Sequence, residues 1–269
     1  MIRDMRGLTI TADDFGLCPE VNDAICLLHD RGVVSRTSFM VNTEHFDASV
    51  AALRRRPGLQ VGVHLNLTDG RPVLPVERVR SLVNARGTFR GGRHCGVALR
   101  ILSHRMRRDE IRREWEAQIG RARDAGIAIM HLNAHGHLHL LPPLHGIVVD
   151  LMEQFGIHDL RVVLAGESVR GFAFRLCSRG LVAAIRRRGL AVSFADRILG
   201  LGHQGALDRA RLTTVLTQST GASELLVHPA TGANAYHRRW RYRGEQELDA
   251  LLGDARPPFV QESRTGDGR

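Results

Sequence analysis

The sequence contains no lysine, so all 38 of its basic residues are arginine. They outnumber the 28 acidic residues and give the chain a formal charge of +10. Such a charge is typical of proteins that bind nucleic acid or an anionic membrane. A genome rich in arginine codons produces the same excess. Because lysine is missing altogether, we interpret most of the charge as codon bias.

Aromatic residues, cysteine pairs and long apolar runs are also scarce. The aromatic fraction is 5%, which disfavours binding of single-stranded nucleic acid by base stacking. The four cysteines form no CxxC pair, as expected of reduced thiols inside a cell. No apolar run has the length of a membrane span, and the N-terminus does not resemble a signal peptide. The sequence therefore predicts a cytoplasmic protein.

Apolar segments of strand length alternate with helix-like segments along the chain. Strands are predicted at 8–13, 36–42, 59–67, 127–133, 160–164, 191–194 and 224–228, with helices between most of them. This alternation predicts parallel strands with helical crossovers, in one domain over residues 1–269 because no linker interrupts it. The residues alone leave open a doubly wound sheet or a closed β/α barrel. The absence of GxGxxG and GxxxxGK[ST] loops after the first strand gives no support to a nucleotide site.

Aspartate and histidine residues fall at the carboxyl ends of several predicted strands, where α/β folds place their chemistry. Asp13 and Asp14 end the first strand, and His64, His135 and His228 lie at or just after the ends of three others. Each is weak evidence alone, because an Asp pair is more often a turn and a single histidine more often a core group. The segment HLNAHGHLH at 131–139 is stronger, since four buried imidazoles would each need a hydrogen-bond partner. Together they predict a divalent-metal hydrolase. No GxSxG elbow is present.

Four segments carry a family resemblance: TADDFGL at 11–17, VGVHLNL at 61–67, HLNAHGHLH at 131–139 and VHPA at 227–230. In this order the chain resembles the YdjC-like carbohydrate deacetylase family. GRPVLP at 70–75, an arginine-rich helical insert at about 165–190 and ADRILGL at 195–201 resemble the hopanoid-biosynthesis-associated HpnK group within it.

The resemblance implies a deformed (β/α) barrel of about seven parallel strands, NodB-like or TIM-like, that holds one divalent ion (Mg, Zn, Mn or Co). It implies metal ligands Asp14, His64 and His135, a general base Asp13 and a candidate general acid His228. Residues that would bind substrate or support the site are His137, His139, Asn133, Arg161 and Asn66. The implied reaction removes the acetyl group from an N-acetylglucosaminyl substrate, a hopanoid glycolipid for the HpnK group. A chito-oligosaccharide or another amino sugar is the alternative acceptor.

Three features depart from the family pattern. Asn133 stands where the family usually has aspartate, Gly136 replaces a larger residue, and the chain ends in a divergent polar tail at about 253–269. Because of these departures, a metal-binding protein without catalysis is an alternative hypothesis. The net charge supports a second alternative, a nucleic-acid-binding module. The segment 169–189 is either a surface helix or an interfacial helix that docks on anionic lipid, at the inner face of the membrane. A homodimer is also considered, because a partner would fill the diverged end.

Overall fold

Six parallel strands form one sheet in the computed structural model, which describes residues 7–91, 94–165 and 169–253. The strands are β1 (Leu8–Phe15), β2 (Arg36–Phe39), β3 (Gln60–Leu65), β4 (Ile129–Ala134), β5 (Arg197–Leu199) and β6 (Ser223–Val227). Their order across the sheet is β4-β3-β2-β1-β6-β5. All pairs are parallel, so every carboxyl end lies at the same edge. This edge is where the predicted site residues fall.

Nine helices are assigned within the described residues. They are α1 (Pro19–Asp30), α2 (Phe46–Arg54), α3 (His94–Leu102), α4 (Arg108–Asp124), α5 (His145–Phe155), α6 (Val169–Arg188), α7 (Arg209–Leu216), α8 (Ala235–Trp240) and α9 (Gly244–Leu252). In α1, Pro19 occupies the first turn, where its missing N–H costs nothing. The apolar face that follows, with Val21, Ile25 and Leu28, has helical spacing and is buried in the core. No helix in these described ranges has the length and hydropathy to span a bilayer.

The sheet curls round on itself. Single backbone bridges join Leu132 of β4 to Leu160, and Asp159 to Ser193, so the pairing continues past the β4 edge. Arg197, only four residues after Ser193, begins β5 at the opposite edge of the sheet. Four residues span at most about 14 Å, so the two edges lie close together. The sheet is thus curled into a half-barrel, which is consistent with the β/α barrel type that the family resemblance implies.

The predicted elements and the observed ones differ in a few places. The segments 160–164 and 191–194, predicted as strands, make only the single bridges just described, so six strands are present in the described residues where about seven were expected. The helices α3, α8 and α9 and the strand β5 were not predicted. The basic segment 169–189 is one helix, α6, whereas 166–168 and nearly all of the polar tail lie outside the described residues.

Candidate functional site

A bulge at the end of β1 brings two adjacent aspartates into one site. Neighbouring strand residues normally face opposite sides of a sheet. Here Ala12 pairs with Thr37 and Phe15 with Phe39, so three steps along β1 oppose two along β2. Asp14 adopts a left-handed φ of 70°, a conformation costing about 1–3 kcal/mol in a non-glycine residue. The bulge therefore turns Asp14 towards the same buried site as Asp13.

Asp14, His64 and His135 converge on one point. Asp14 Oδ1 lies 2.9 Å from Nδ1 of His135 and 3.3 Å from Nε2 of His64. The two imidazole nitrogens are themselves 3.3 Å apart. β1 and β3 supply the first two residues, and the third begins the 3₁₀ turn His135–Leu140 directly after β4. All three side chains are buried.

These three residues fit a divalent metal ion. Ligand atoms at about 2.0–2.2 Å from one ion lie about 3.0–3.5 Å from each other, close to the observed separations. Asp14 Oδ2 is buried and has no hydrogen-bond partner among the described residues, so it has capacity for a ligand. One carboxylate with two imidazoles is a donor set used by Zn²⁺, Mn²⁺, Fe²⁺ and Co²⁺ with open positions left over. The expected triad is the one cluster of this kind found in the described ranges.

Asp13 has a different partner, the buried guanidinium of Arg161. Arg161 Nη1 donates to Asp13 Oδ2 at 2.5 Å and Nη2 donates to Oδ1 at 3.0 Å. Nη2 also donates to Glu224 Oε1 at 2.7 Å, so one arginine joins two buried carboxylates. Ser38 Oγ donates to Asp13 Oδ1 at 2.8 Å. These bonds fix the orientation of the Asp13 carboxylate.

The pKa values of the two aspartates are lowered by different neighbours. Burial opposes the ionisation of both. At Asp13 it is outweighed by the charge and hydrogen bonds of Arg161 together with the charges of His64 and His228, which hold that pKa well below its usual range. At Asp14, burial is outweighed by the charge and hydrogen bond of His135, followed by His64, and the pKa is again lowered. Both carboxylates are therefore ionised at neutral pH.

His228 lies directly after β6 and faces Asp13 across 4.0 Å, measured from Nε2 to Oδ2. Its ring packs against Tyr242 with centroids 4.7 Å apart. Its backbone N–H donates to Glu247 Oε2 at 2.5 Å, which ties the end of β6 to α9. Burial lowers the pKa of His228 to about 4, although the carboxylates of Asp14 and Asp13 act in the other direction. The imidazole is neutral at neutral pH.

Asn133 joins the aspartate and histidine clusters through its amide. With the amide oxygen towards His64, Oδ1 lies 2.6 Å from His64 Nδ1, and Nδ2 donates to Ser38 Oγ at 2.8 Å. In this orientation the Nδ2 group also faces the guanidinium of Arg161, and two donors oppose each other. With the amide turned over, Oδ1 accepts from Arg161 at 2.7 and 3.1 Å, and Nδ2 donates to His64 Nδ1. The second orientation satisfies every group around the amide.

The other predicted residues lie around this centre with distinct contacts. His139 Nε2 donates to the backbone oxygen of Arg161 at 2.7 Å, and burial lowers the pKa of His139 to about 3, so it is a neutral support. His137 packs against Phe174 and contacts Gln204, and it lines a cavity. Asn66 organises the loop after β3 by donating to the backbone oxygen of Asp69.

Several residues at the site were not predicted from the sequence. Asp69 Oδ2 lies 3.8 Å from His135 Nε2, and Trp240 packs edge-on against the His135 ring. Glu224 shares the inward face of β6 with His228, so the alternation of that strand was a usable signal for it. The two residues near His135 had no such signal, because a loop after β3 and an unpredicted helix position them.

Two cavities flank the centre and differ in character. One, of about 570 Å³, is lined largely by apolar side chains, including Ala98, Leu141, Phe174 and Trp240. The other, of about 460 Å³, is lined mainly by polar residues: Asn42, Thr43, Glu44, Asn66, Asp69, Arg71, Thr88, Arg121 and Tyr236. Arg239 of the first donates to Asp69 of the second at 2.7 Å. The site therefore has an apolar side and a polar side.

Comparison with known proteins places the chain in a family. The YdjC-like protein family matches residues 7–262. A carbohydrate deacetylase of Brevibacillus brevis is 38% identical over 242 residues, covering 85% of this chain and 93% of the relative. A carbohydrate deacetylase of Homo sapiens is 31% identical over 252 residues, covering 85% and 76%.

Among solved structures, a protein of Enterococcus faecalis V583 described as a cellobiose-phosphate cleavage protein has a TM-score of 0.71 at 26% identity. The match covers 92% of this chain and 90% of that one. The family match spans the whole sheet and every residue of the site just described. This chain belongs to the YdjC-like protein family.

Proposed function

We propose that this chain is a metal-dependent carbohydrate N-deacetylase that removes the acetyl group from an N-acetylglucosaminyl substrate. The observation that carries the proposal is the buried triad Asp14, His64 and His135 with Asp13 and His228 beside it. Hydrolysis of an acetamide needs a group that takes a proton from water, a group that protonates the amine, and a centre that stabilises the carbonyl oxygen. The relatives named carbohydrate deacetylase support the same reaction class.

Asp13 is assigned as the general base and Arg161 as its positioning residue. The two hydrogen bonds from Arg161 leave the Asp13 carboxylate little rotational freedom. They also lower its basicity, so Asp13 takes a proton efficiently only from water that is itself made acidic. A divalent ion (Mg, Zn, Mn or Co) held by the triad would supply that acidity and polarise the amide carbonyl.

His228 is assigned as the general acid. Its Nε2 lies 4.0 Å from Asp13 Oδ2, so the proton that Asp13 takes from water has a short path to the imidazole. The amide C–N bond breaks as the amine nitrogen receives a proton from His228. Water and amide thereby become acetate and a free amine, with no other reactant consumed.

The two cavities support a lipid-linked sugar as substrate, as the resemblance to the HpnK group implies. Sugar hydroxyls pair with amide and carboxylate groups such as those of the polar cavity, whereas the fused-ring hydrocarbon of a hopanoid has no polar group to offer. The apolar cavity, of about 570 Å³, would take the first part of such a hydrocarbon. The alternative acceptor, a chito-oligosaccharide, would use the polar cavity alone. On the glycolipid proposal the enzyme works at the inner face of the membrane.

Acetate release tests the proposal. The purified chain, loaded with Mg²⁺, Mn²⁺, Co²⁺ or Zn²⁺, is incubated with an N-acetylglucosaminyl hopanoid and, separately, with N,N′-diacetylchitobiose, called chitobiose below. We expect acetate from the glycolipid. We expect Asp13→Asn to abolish turnover while calorimetry still detects metal binding, because Asp13 is not in the triad. Asp23→Asn, the same change at an exposed carboxylate of α1, is the matched control and keeps full activity.

The other outcomes discriminate between the alternatives. Acetate released from chitobiose only would support the deacetylase activity but overturn the proposal of a lipid-linked substrate. Metal binding with no acetate from either compound would indicate a non-catalytic metal protein. Salt-dependent binding of DNA without acetate release would favour the nucleic-acid module. Full turnover by Asp13→Asn would show that the assigned base is wrong.

A further inference from the structure

Two helices leave large apolar side chains in solvent beside the apolar cavity. On α3, Leu99 is 66% exposed and Leu102 is 48% exposed; on α6, Phe172 is 57% exposed and Leu176 is 62% exposed. Each pair is spaced by three or four residues and so shares one face of its helix. Single exposed apolar residues are ordinary, but four on two helices that border one cavity are not.

The two helices are joined through the candidate site. Both pack against the 3₁₀ turn that holds His135 to Leu140. Ala98 of α3 and Phe174 of α6 line the same cavity, next to the side chains just described. The exposed apolar residues therefore lie on the two helices that line this cavity, and the cavity adjoins the candidate triad through His137 and Trp240.

The charged residues of α3 and α6 have one sign. Neither α3 nor α6 contains an aspartate or glutamate, and α6 contains six arginines. The Arg175 guanidinium lies 5.1 Å from the ring centroid of Phe172, and Arg179 is exposed less than one turn beyond Leu176. Exposed apolar side chains with arginines beside them complement the anionic surface of a phospholipid bilayer.

The far end of α6 is less suited to this role. Arg186 lies ten residues beyond Leu176, about 15 Å along the helix. Arg188 is engaged with Asp150 and Glu153 at 2.6 Å each. The arginine cluster at the C-terminus of α6 is thus away from the exposed apolar side chains.

We propose that Leu99, Leu102, Phe172 and Leu176 form a membrane-docking face that seats the entrance of the apolar cavity on an anionic bilayer. The bilayer would receive the four side chains, and the nearby arginines would contact lipid phosphates. The docking itself needs no substrate, whereas its purpose rests on the proposed function, because only a lipid-linked substrate would be delivered this way.

Vesicle co-sedimentation tests the docking face. The full chain is mixed with vesicles of phosphatidylcholine, with and without phosphatidylglycerol. We expect binding to the anionic vesicles, and a loss of about tenfold or more when all four residues are changed to glutamine, because binding scales with buried apolar area. Met130→Gln is the matched control, since Met130 is 50% exposed near the opposite end of β4. Met130→Gln should bind as wild type does. The double variant Arg186→Gln, Arg187→Gln should also bind as wild type does.

Several results would overturn the proposal. One is equal binding by the fourfold variant and wild type, and another is no binding of wild type to either vesicle. A third is that wild type binds no vesicle but forms a dimer, and that the fourfold variant is a monomer. If the fourfold variant does not fold, the α3 pair and the α6 pair are changed separately. Acetate release from the glycolipid in detergent solution, where no docking on a bilayer is needed, keeps the two proposals apart. It should be unchanged in the fourfold variant, and an absence of acetate from both acceptors in wild type would count against the deacetylase, not the docking.

Discussion

The substitution Asn133→Asp tests how the site prepares His64 to bind a metal. A metal at Nε2 of His64 requires the ring proton to be on Nδ1, where it can be donated to residue 133. The Asn133 amide can accept that proton only in the orientation that turns Nδ2 towards Arg161. In the better-satisfied orientation Nδ2 donates to His64 Nδ1, and the ring proton then lies on Nε2, facing Asp14 at 3.3 Å.

The cost of preparing the metal-binding state follows from the bonds that change. Turning the amide over gives up two hydrogen bonds from the Arg161 guanidinium, at 2.7 and 3.1 Å. Hydrogen bonds to charged groups contribute about 1.5–3 kcal/mol each, and the new bond from His64 restores part of the loss. A net cost of about 1.5–3 kcal/mol corresponds to roughly tenfold to a hundredfold in metal affinity. An aspartate accepts from Arg161 and His64 at once and avoids this cost.

We therefore expect Asn133→Asp to tighten Zn²⁺ or Mn²⁺ binding by about ten- to a hundredfold in calorimetric titrations. Asn133→Ala, which removes the acceptor altogether, should weaken it. The histidine tautomers give a second measurement without metal. Nitrogen NMR should show His64 protonated on Nε2 in wild type and on Nδ1 in the aspartate variant. An unchanged or weaker metal affinity of Asn133→Asp, or a wild-type His64 protonated on Nδ1, would refute the reasoning.

Three further substitutions follow from buried contacts. Arg161→Met leaves two buried carboxylates unpaired and should lower the free energy of unfolding by about 3–5 kcal/mol in urea titrations. Burial raises the pKa of Glu247 to about 7 from its ordinary 4.5, although backbone N–H groups oppose it. The folded state therefore holds the Glu247 proton more tightly than the unfolded chain does. This proton contributes about 3 kcal/mol to the free energy of unfolding below pH 4.5, and the contribution is lost as pH rises through 7. Glu247→Gln should flatten that dependence in thermal unfolding between pH 5 and pH 8. Gly62→Ala would place a Cβ in steric overlap with three atoms of the His131 ring and should cost about 1–3 kcal/mol of unfolding free energy, measured in the same way.

The site residues at the strand ends were predictable from the sequence, because successive side chains of a strand alternate between the two faces of the sheet. His64 and Asn133 share the inward face of neighbouring strands, and the register pairs them directly. The same rule placed His228 at the end of β6. Parallel pairing then brings all carboxyl ends to one edge, so local pattern was sufficient to collect these residues.

The rest depended on structure that has no periodic pattern. The register shift in β1 depends on a left-handed Asp14, a conformation that aspartate adopts only occasionally and that the sequence therefore does not indicate. The helices α3, α8 and α9 are only six to nine residues long, about two turns each, so few positions are available to show helical spacing. The strand β5 has three residues. Elements this short are stabilised by tertiary packing, which sequence propensity does not report.

The bulge in β1 also explains how two identical, adjacent side chains take different roles. Asp13 keeps the regular strand direction and meets a fixed, permanently charged arginine. Asp14, turned out of that direction, meets two imidazoles that can release their protons. The Asp13 carboxylate is oriented by its arginine, whereas the Asp14 carboxylate lies beside imidazoles that can join it in binding a metal. The assignment of base and ligand thus follows from which face each carboxylate reaches.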